Sequence, residues 1–153
     1  IHAPKVLFLD EPTTGVDPVS RKEFWEMLKR LKQKNITILV STPYMDEASL
    51  CDRIAFIQNG KIFKIDSPQN IIRDFQPKIY EVKSDDMYQL LLDLKQIPDT
   101  KSTFSFGESI HYINEKTEFT KEKLQTYLNE KAHKNLDIQL IQATIEDVFM
   151  NAD

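Results

Sequence analysis

The chain has 153 residues, 41% of them hydrophobic and 29% charged, with a formal net charge of −4, an ordinary globular composition able to bury one or two small cores. No apolar run approaches the roughly 20 residues that span a bilayer, no segment reads as a signal peptide, and the single cysteine, Cys51, excludes an intrachain disulfide or a thiolate metal cluster. His2, His111 and His133 are scattered without ligand spacing, so metal binding through histidine is not expected.

The first element is the run Val6-Leu7-Phe8-Leu9, ending abruptly in Asp10-Glu11-Pro12. Four consecutive apolar side chains cannot alternate between core and solvent. Both faces of this strand are therefore expected to be covered, as in a parallel sheet between helices. The two acids then fall at its carboxyl end, where open α/β sheets place their ligands. A core strand running into an acidic turn, with Asp10 and Glu11 merely solvated, satisfies the same stretch. In Thr13-Thr14-Gly15-Val16-Asp17-Pro18 a glycine can take positive φ, Asp17 can cap a helix and Pro18 can occupy its first position.

From Val19 to Lys34, Phe24, Met27, Leu28 and Leu31 share one helical face, with Trp25 beside them and Glu26 four before Arg30. Ile36 to Val40 is rich in β-branched residues and reads as the next buried strand, running into Ser41-Thr42-Pro43. A short helix over Met45 to Cys51 follows. Arg53 to Ile57 and Lys61 to Ile65 are joined through Asn59-Gly60, a strong hairpin signal. Ser67 and Pro68 then cap and open a helix reaching about Phe75.

Read continuously, Leu7-Phe8-Leu9-Asp10-Glu11-Pro12-Thr13-Thr14-Gly15-Val16-Asp17 closely resembles the Walker B strand and D-loop of ABC transporter ATPases. The resemblance implies an α/β P-loop NTPase core, with ATP and Mg²⁺ as cofactors. It makes Asp10 the Mg²⁺-associated acid, acting through ordered water, and Glu11 the catalytic glutamate that polarises the water attacking the γ-phosphate. Asp17 becomes the D-loop residue facing a second ATPase subunit, which is compatible with its role as an N-cap. The implied partners are that second subunit and a membrane-spanning transporter subunit, with the protein peripheral at the cytoplasmic face of the cell membrane.

One position departs from the pattern. Such ATPases carry a switch histidine after this strand, in a Ser-Thr-His pattern, and here Ser41-Thr42 is followed by Pro43. Proline offers neither a side-chain donor nor a backbone N–H to the γ-phosphate. A hydroxyl of Thr42 or Tyr44 could substitute; alternatively the site works with the glutamate alone, or hydrolyses slowly. The flanking Tyr44-Met45-Asp46-Glu47-Ala48 still fits the family. A Gly-rich P-loop and a signature loop are absent, and the three glycines, Gly15, Gly60 and Gly107, lie too far apart to cradle phosphates. Because Ile1-His2-Ala3-Pro4 stands directly before the Walker B-like strand, the chain is expected to be the C-terminal part of a longer ATPase. By itself it is expected neither to bind ATP tightly nor to hydrolyse it. The resemblance assigns residues 1–75 to the ATPase core.

Residues 1–75 carry 11 basic and 10 acidic side chains and residues 76–153 carry 9 and 14, so the second half is an acidic module, with its boundary near Gln76-Pro77-Lys78. Ile79 to Lys83 reads as a strand, and Asp85 or Asp86 caps a helix bearing Met87, Leu90, Leu91 and Leu94. Strands follow at Thr103 to Phe106 and Ser109 to Ile113, then a helix from Lys121 to Lys134 capped by Thr120, and a strand over Leu136 to Ile141. Thr144-Ile145-Glu146-Asp147 opens a last helix with capping-box spacing. The order β-α-β-β-α-β matches the ferredoxin-like motif. Similar accessory domains, ending in a motif like Ile145-Glu146-Asp147-Val148-Phe149, follow the ATPase core in ABC exporters.

A ferredoxin-like sheet also occurs in RNA-binding modules, where Phe104, Phe106 and Tyr112 could stack bases. The acidic balance opposes that use, and no nucleic-acid partner is expected. A reading from a different class keeps residues 76–153 as a regulatory or dimerisation module attached to a degenerate ATPase remnant, with Pro43 as its support.

Overall fold

The computed structural model describes residues 4–152, so His2 lies outside the described residues. The fold is mixed α/β and divides into two compact units between Cys51 and Asp52. Among the described residues no helix is long and apolar enough to cross a membrane.

In the first unit β1 (Val6–Asp10) pairs in parallel with β2 (Thr37–Ser41), from Val6 opposite Thr37 to Asp10 opposite Ser41. The connection is α1 (Pro18–Gln33), which buries Trp25 and Leu28 and packs on β2. A short α2 (Met45–Ala48) follows. Glu26 pairs with Lys29 at 3.1 Å, one residue short of the expected Arg30.

The expectation that both faces of β1 are covered is not met. Leu7, Leu9, Ile38 and Val40 are half-buried, but Phe8 is 72% and Leu39 61% exposed, with Val6 beside them. The sheet has two strands among the described residues, and one helix can shield only one of its faces.

In the second unit β3 (Ile54–Gln58) and β4 (Lys61–Asp66) form an antiparallel hairpin. Asn59 at φ +51° and Gly60 at φ +72° supply the two left-handed residues that a two-residue turn requires. In α3 (Pro68–Arg73), the Ser67 hydroxyl accepts from Asn70 N at 3.2 Å. Next come β5 (Ile79–Lys83), α4 (Met87–Lys95), β6 (Thr100–Phe106), β7 (Ser109–Asn114), α5 (Lys121–Glu130), β8 (Asp137–Ile141) and α6 (Ile145–Met150). β5 to β8 build a four-stranded antiparallel sheet in the order β6-β7-β5-β8. Strand β6 begins three residues earlier than its sequence suggests, because pairing with β7 extends to Thr100 opposite Asn114. Helix α5 stops four residues early, before Ala132 takes φ +57°.

One face of this sheet joins α4 and α5 in a core of Tyr80, Val82, Leu90, Leu94, Ile110, Tyr112, Leu124, Leu128 and Ile138. All six residues of β7 are buried, so its other face is covered too. That cover is α6. Its Asp147 meets His111 of β7 at 2.6 Å, and Asn151 just beyond it accepts from Ser102 of β6 at 2.6 Å. Phe149 packs edge-on against Phe56 at 5.3 Å between centroids and lies 6.2 Å from Phe63, which ties the β3–β4 hairpin to the same helix. Aromatic contacts of this kind contribute about 0.5–1.5 kcal/mol each beyond their buried area.

Candidate functional site

The parallel register brings the ends of β1 and β2 to one edge, with Asp10 opposite Ser41. The Ser41 hydroxyl donates to Asp10 Oδ1. Glu11 N donates both to the Ser41 carbonyl at 3.0 Å and to Ser41 Oγ at 2.9 Å. Glu11 itself sits at φ +43°, a left-handed conformation that costs a non-glycine residue on the order of 1 kcal/mol and turns its side chain out of the strand's alternation. Its Oε2 accepts from the Thr14 hydroxyl at 3.2 Å. The loop then tightens through Thr14 N to Glu11 O and Val16 N to Thr13 O, with Gly15 at φ +77° as the sequence requires.

Asp17 caps α1. Its Oδ1 accepts from Val19 N at 3.0 Å and Ser20 N at 3.1 Å, and hydrogen bonding, first from the Ser20 side chain, holds the carboxyl below its usual range. Pro18 occupies the first helical turn.

After β2 the loop is held by residues that no local pattern pairs. Thr42 Oγ1 donates to Glu47 Oε2 at 2.6 Å and accepts from Tyr44 N at 3.1 Å, so both roles of this hydroxyl are taken within the protein. Arg21 of α1 reaches Glu47 Oε1 with Nε at 3.1 Å and Nη2 at 3.0 Å, approaches Asp46 at 3.3 Å, and lays its guanidinium 4.3 Å from the Tyr44 ring centroid. Glu47 is only 2% exposed. Burial would raise its carboxyl, but the Thr42 hydroxyl, then the Thr13 hydroxyl and Trp25 N–H, then Arg21, hold it below the usual carboxylate range. Thr13 Oγ1 and Trp25 Nε1 are buried without a hydrogen bond of normal geometry, so they act on Glu47 as dipoles.

Of the sequence-derived site residues, Asp10 and Glu11 stand together at the strand edge with Ser41. Pro43 lies in the adjoining loop, and Asp17 lies at the start of α1. Sequence reasoning overlooked the functional interest of Ser41, Arg21 and Glu47. Ser41 and Glu47 lie in stretches that fit the family pattern; nothing local announces Arg21 as the partner of Glu47. The site is an open edge rather than a cavity. A cavity of about 600 Å³ does exist, in the second unit, bordered by Tyr80, Phe104 and Phe119.

No cluster of three or more His, Cys, Asp or Glu side chains able to hold a metal occurs among the described residues. Asp10 with the Ser41 hydroxyl still suits Mg²⁺, an ion commonly held by one or two carboxylates together with water and substrate phosphates.

No protein-family model matches the chain. Known proteins do. It is 30% identical over 152 residues to the Nod factor export ATP-binding protein I of Mesorhizobium japonicum, covering 98% of this chain and 42% of that protein. It is 31% identical over 156 residues to the daunorubicin resistance ATP-binding protein DrrA2 of Streptomyces coeruleorubidus, covering 98% of this chain and 48% of that one. Over 71 residues, 46% of this chain and 12% of the relative, it is 45% identical to the probable multidrug ABC transporter ATP-binding protein YbhF of Escherichia coli. The chain thus spans less than half the length of these relatives. Similarity over nearly its whole extent to such proteins shows that the chain belongs to the ABC transporter ATP-binding proteins.

Proposed function

We propose that this chain carries the Walker B acids, the D-loop and the switch loop of an ABC exporter ATPase, and that the complete subunit couples ATP hydrolysis to export. Residues 1–75 form the C-terminal part of its P-loop core. Residues 76–153 form a ferredoxin-like accessory domain, a reading supported by the strand order β6-β7-β5-β8. The observation that carries the functional reading is the edge where Asp10, Glu11 and Ser41 converge, bonded to one another and open to a ligand.

In this scheme Asp10 is the residue that would hold Mg²⁺, with Ser41 fixing the carboxylate's orientation. Mg²⁺ held there would supply charge neutralisation to the nucleotide's phosphates. Glu11, turned out by its positive φ and steadied by Thr14, accepts a hydrogen bond from the attacking water and polarises it. Asp17, at the start of α1, faces a second ATPase subunit. A membrane-spanning subunit receives the resulting motion, and the protein works at the cytoplasmic face of the membrane. Nucleic-acid binding is disfavoured because Tyr112, one member of the would-be stacking platform, is buried in the core and bonded to Thr100 and Asn114.

Phosphate release by the full-length subunit tests the assignment. Glu11→Gln should lower turnover by about a hundred-fold or more while Mg-ATP binding persists, since the amide keeps the shape without the base. A variant with wild-type turnover removes Glu11 from the catalytic role.

A further inference from the structure

Resting on the nucleotide-site reading above, we propose that Glu47 is a positioning residue. Its carboxylate fastens the loop after β2 to α1 and so sets where that loop stands beside Asp10 and Glu11.

A carboxylate buried to 2% exposure is expensive to desolvate and persists only where its oxygens are fully used. Here each oxygen serves a different element. Oε2 takes the Thr42 proton from the loop, and Oε1 takes both Nε and Nη2 of Arg21 from α1. Arg21 in turn stacks on Tyr44, and its backbone N–H makes the first-turn helical bond to the Asp17 carbonyl at 2.9 Å. Pro43 is therefore flanked by two anchored neighbours, Thr42 held by Glu47 and Tyr44 by Arg21. Proline at that position contributes no hydrogen bond of its own. The loop's place is set by this clamp and by Ser41, which bonds Asp10 and Glu11 directly. Each contact in the series Asp17, Arg21, Glu47, Thr42 is direct. A displacement at the start of α1 therefore reaches the loop through hydrogen bonds rather than through deformable packing.

A merely structural salt bridge would affect folding, leaving turnover per folded molecule unchanged. A positioning residue would affect turnover while sparing affinity, because ångström-scale misplacement at a reacting centre costs about ten- to a hundred-fold in rate. The test compares full-length wild type with Glu11→Gln, Glu47→Gln, Thr42→Val and the double variant Glu47→Gln/Thr42→Val. The readouts are kcat, Mg-ATP affinity and melting temperature. Glu47→Gln and Thr42→Val are each expected to lose about ten-fold or more in kcat with affinity within two-fold of wild type. The double variant should be no worse than the poorer single, since both break one connection. If Glu47→Gln does not fold, Thr42→Val decides, because its target is a loop hydroxyl rather than a buried charge. Wild-type kcat in a folded Thr42→Val or Glu47→Gln protein, beside an inactive Glu11→Gln, overturns the clamp alone. An active Glu11→Gln overturns the site reading and the clamp with it.

Discussion

The β1–β2 pair and the β6-β7-β5-β8 sheet are made from similar apolar residues and bury them to opposite extents. Phe8 and Leu39 stand on an exposed face, whereas every residue of β7 is buried. The difference lies in what surrounds each strand. The second unit supplies α4 and α5 for one face of its sheet and α6 for the other. The first supplies α1 for one face of two strands, and its polar residues are committed to the edge instead, around Asp10, Glu11 and Glu47. An apolar run therefore reports that a strand can be buried; the number of covering elements determines whether it is.

Four measurements can break or sharpen this contrast. The largest stability effect is expected from Leu90→Ala, whose side chain is fully buried in the second unit's core. It should cost about 2–5 kcal/mol in a urea titration. A loss below about 1 kcal/mol would mean that this core is far less tightly packed than its burial indicates.

Next is the pair joining α6 to β7. Burial pushes the Asp147 carboxyl up, but His111, then the Thr144 N–H and hydroxyl, outweigh it and hold the group below its usual range. A depressed carboxyl contributes stability that is present above its unfolded pKa of about 4 and is lost as pH falls through the folded value. Wild-type stability should therefore drop on acidification below about pH 4. Asp147→Asn should be less stable at neutral pH by about 2 kcal/mol and show a flatter acid limb. Parallel pH profiles for the two proteins would refute the assignment.

Pro43→His probes the first unit's edge. In the full-length subunit it should raise turnover by about ten-fold if the γ-phosphate lacks a donor, the scale of one positioning hydrogen bond. Unchanged or lower phosphate release would show that the anchored loop is already adapted to proline.

The smallest stability effect is expected at the open face. Phe8→Ser should change unfolding by about 0.5 kcal/mol or less, as surface positions do. It should still reduce the self-association expected of the wild-type chain, read by light scattering, because exposed apolar area drives it. A wild-type chain that is strictly monomeric at high concentration would count against the contrast itself.

Local chemistry made much of this molecule legible. Asp17, Ser67, Thr120 and Thr144 cap the helices assigned to them, and Asp86 rather than Asp85 caps α4, because a cap is decided within three residues of itself. Asn59-Gly60 fixed a hairpin for the same reason. The abrupt end of Val6–Leu9 in Asp10-Glu11 sufficed to locate the candidate chemistry, since strand direction alone carries both acids to one edge. Tertiary structure decided the rest. No spacing rule pairs Arg21 with Glu47, His111 with Asp147, or Phe149 with Phe56 and Phe63. Those contacts form between segments far apart in the chain, where burial and desolvation select the partner after the backbone has brought it near.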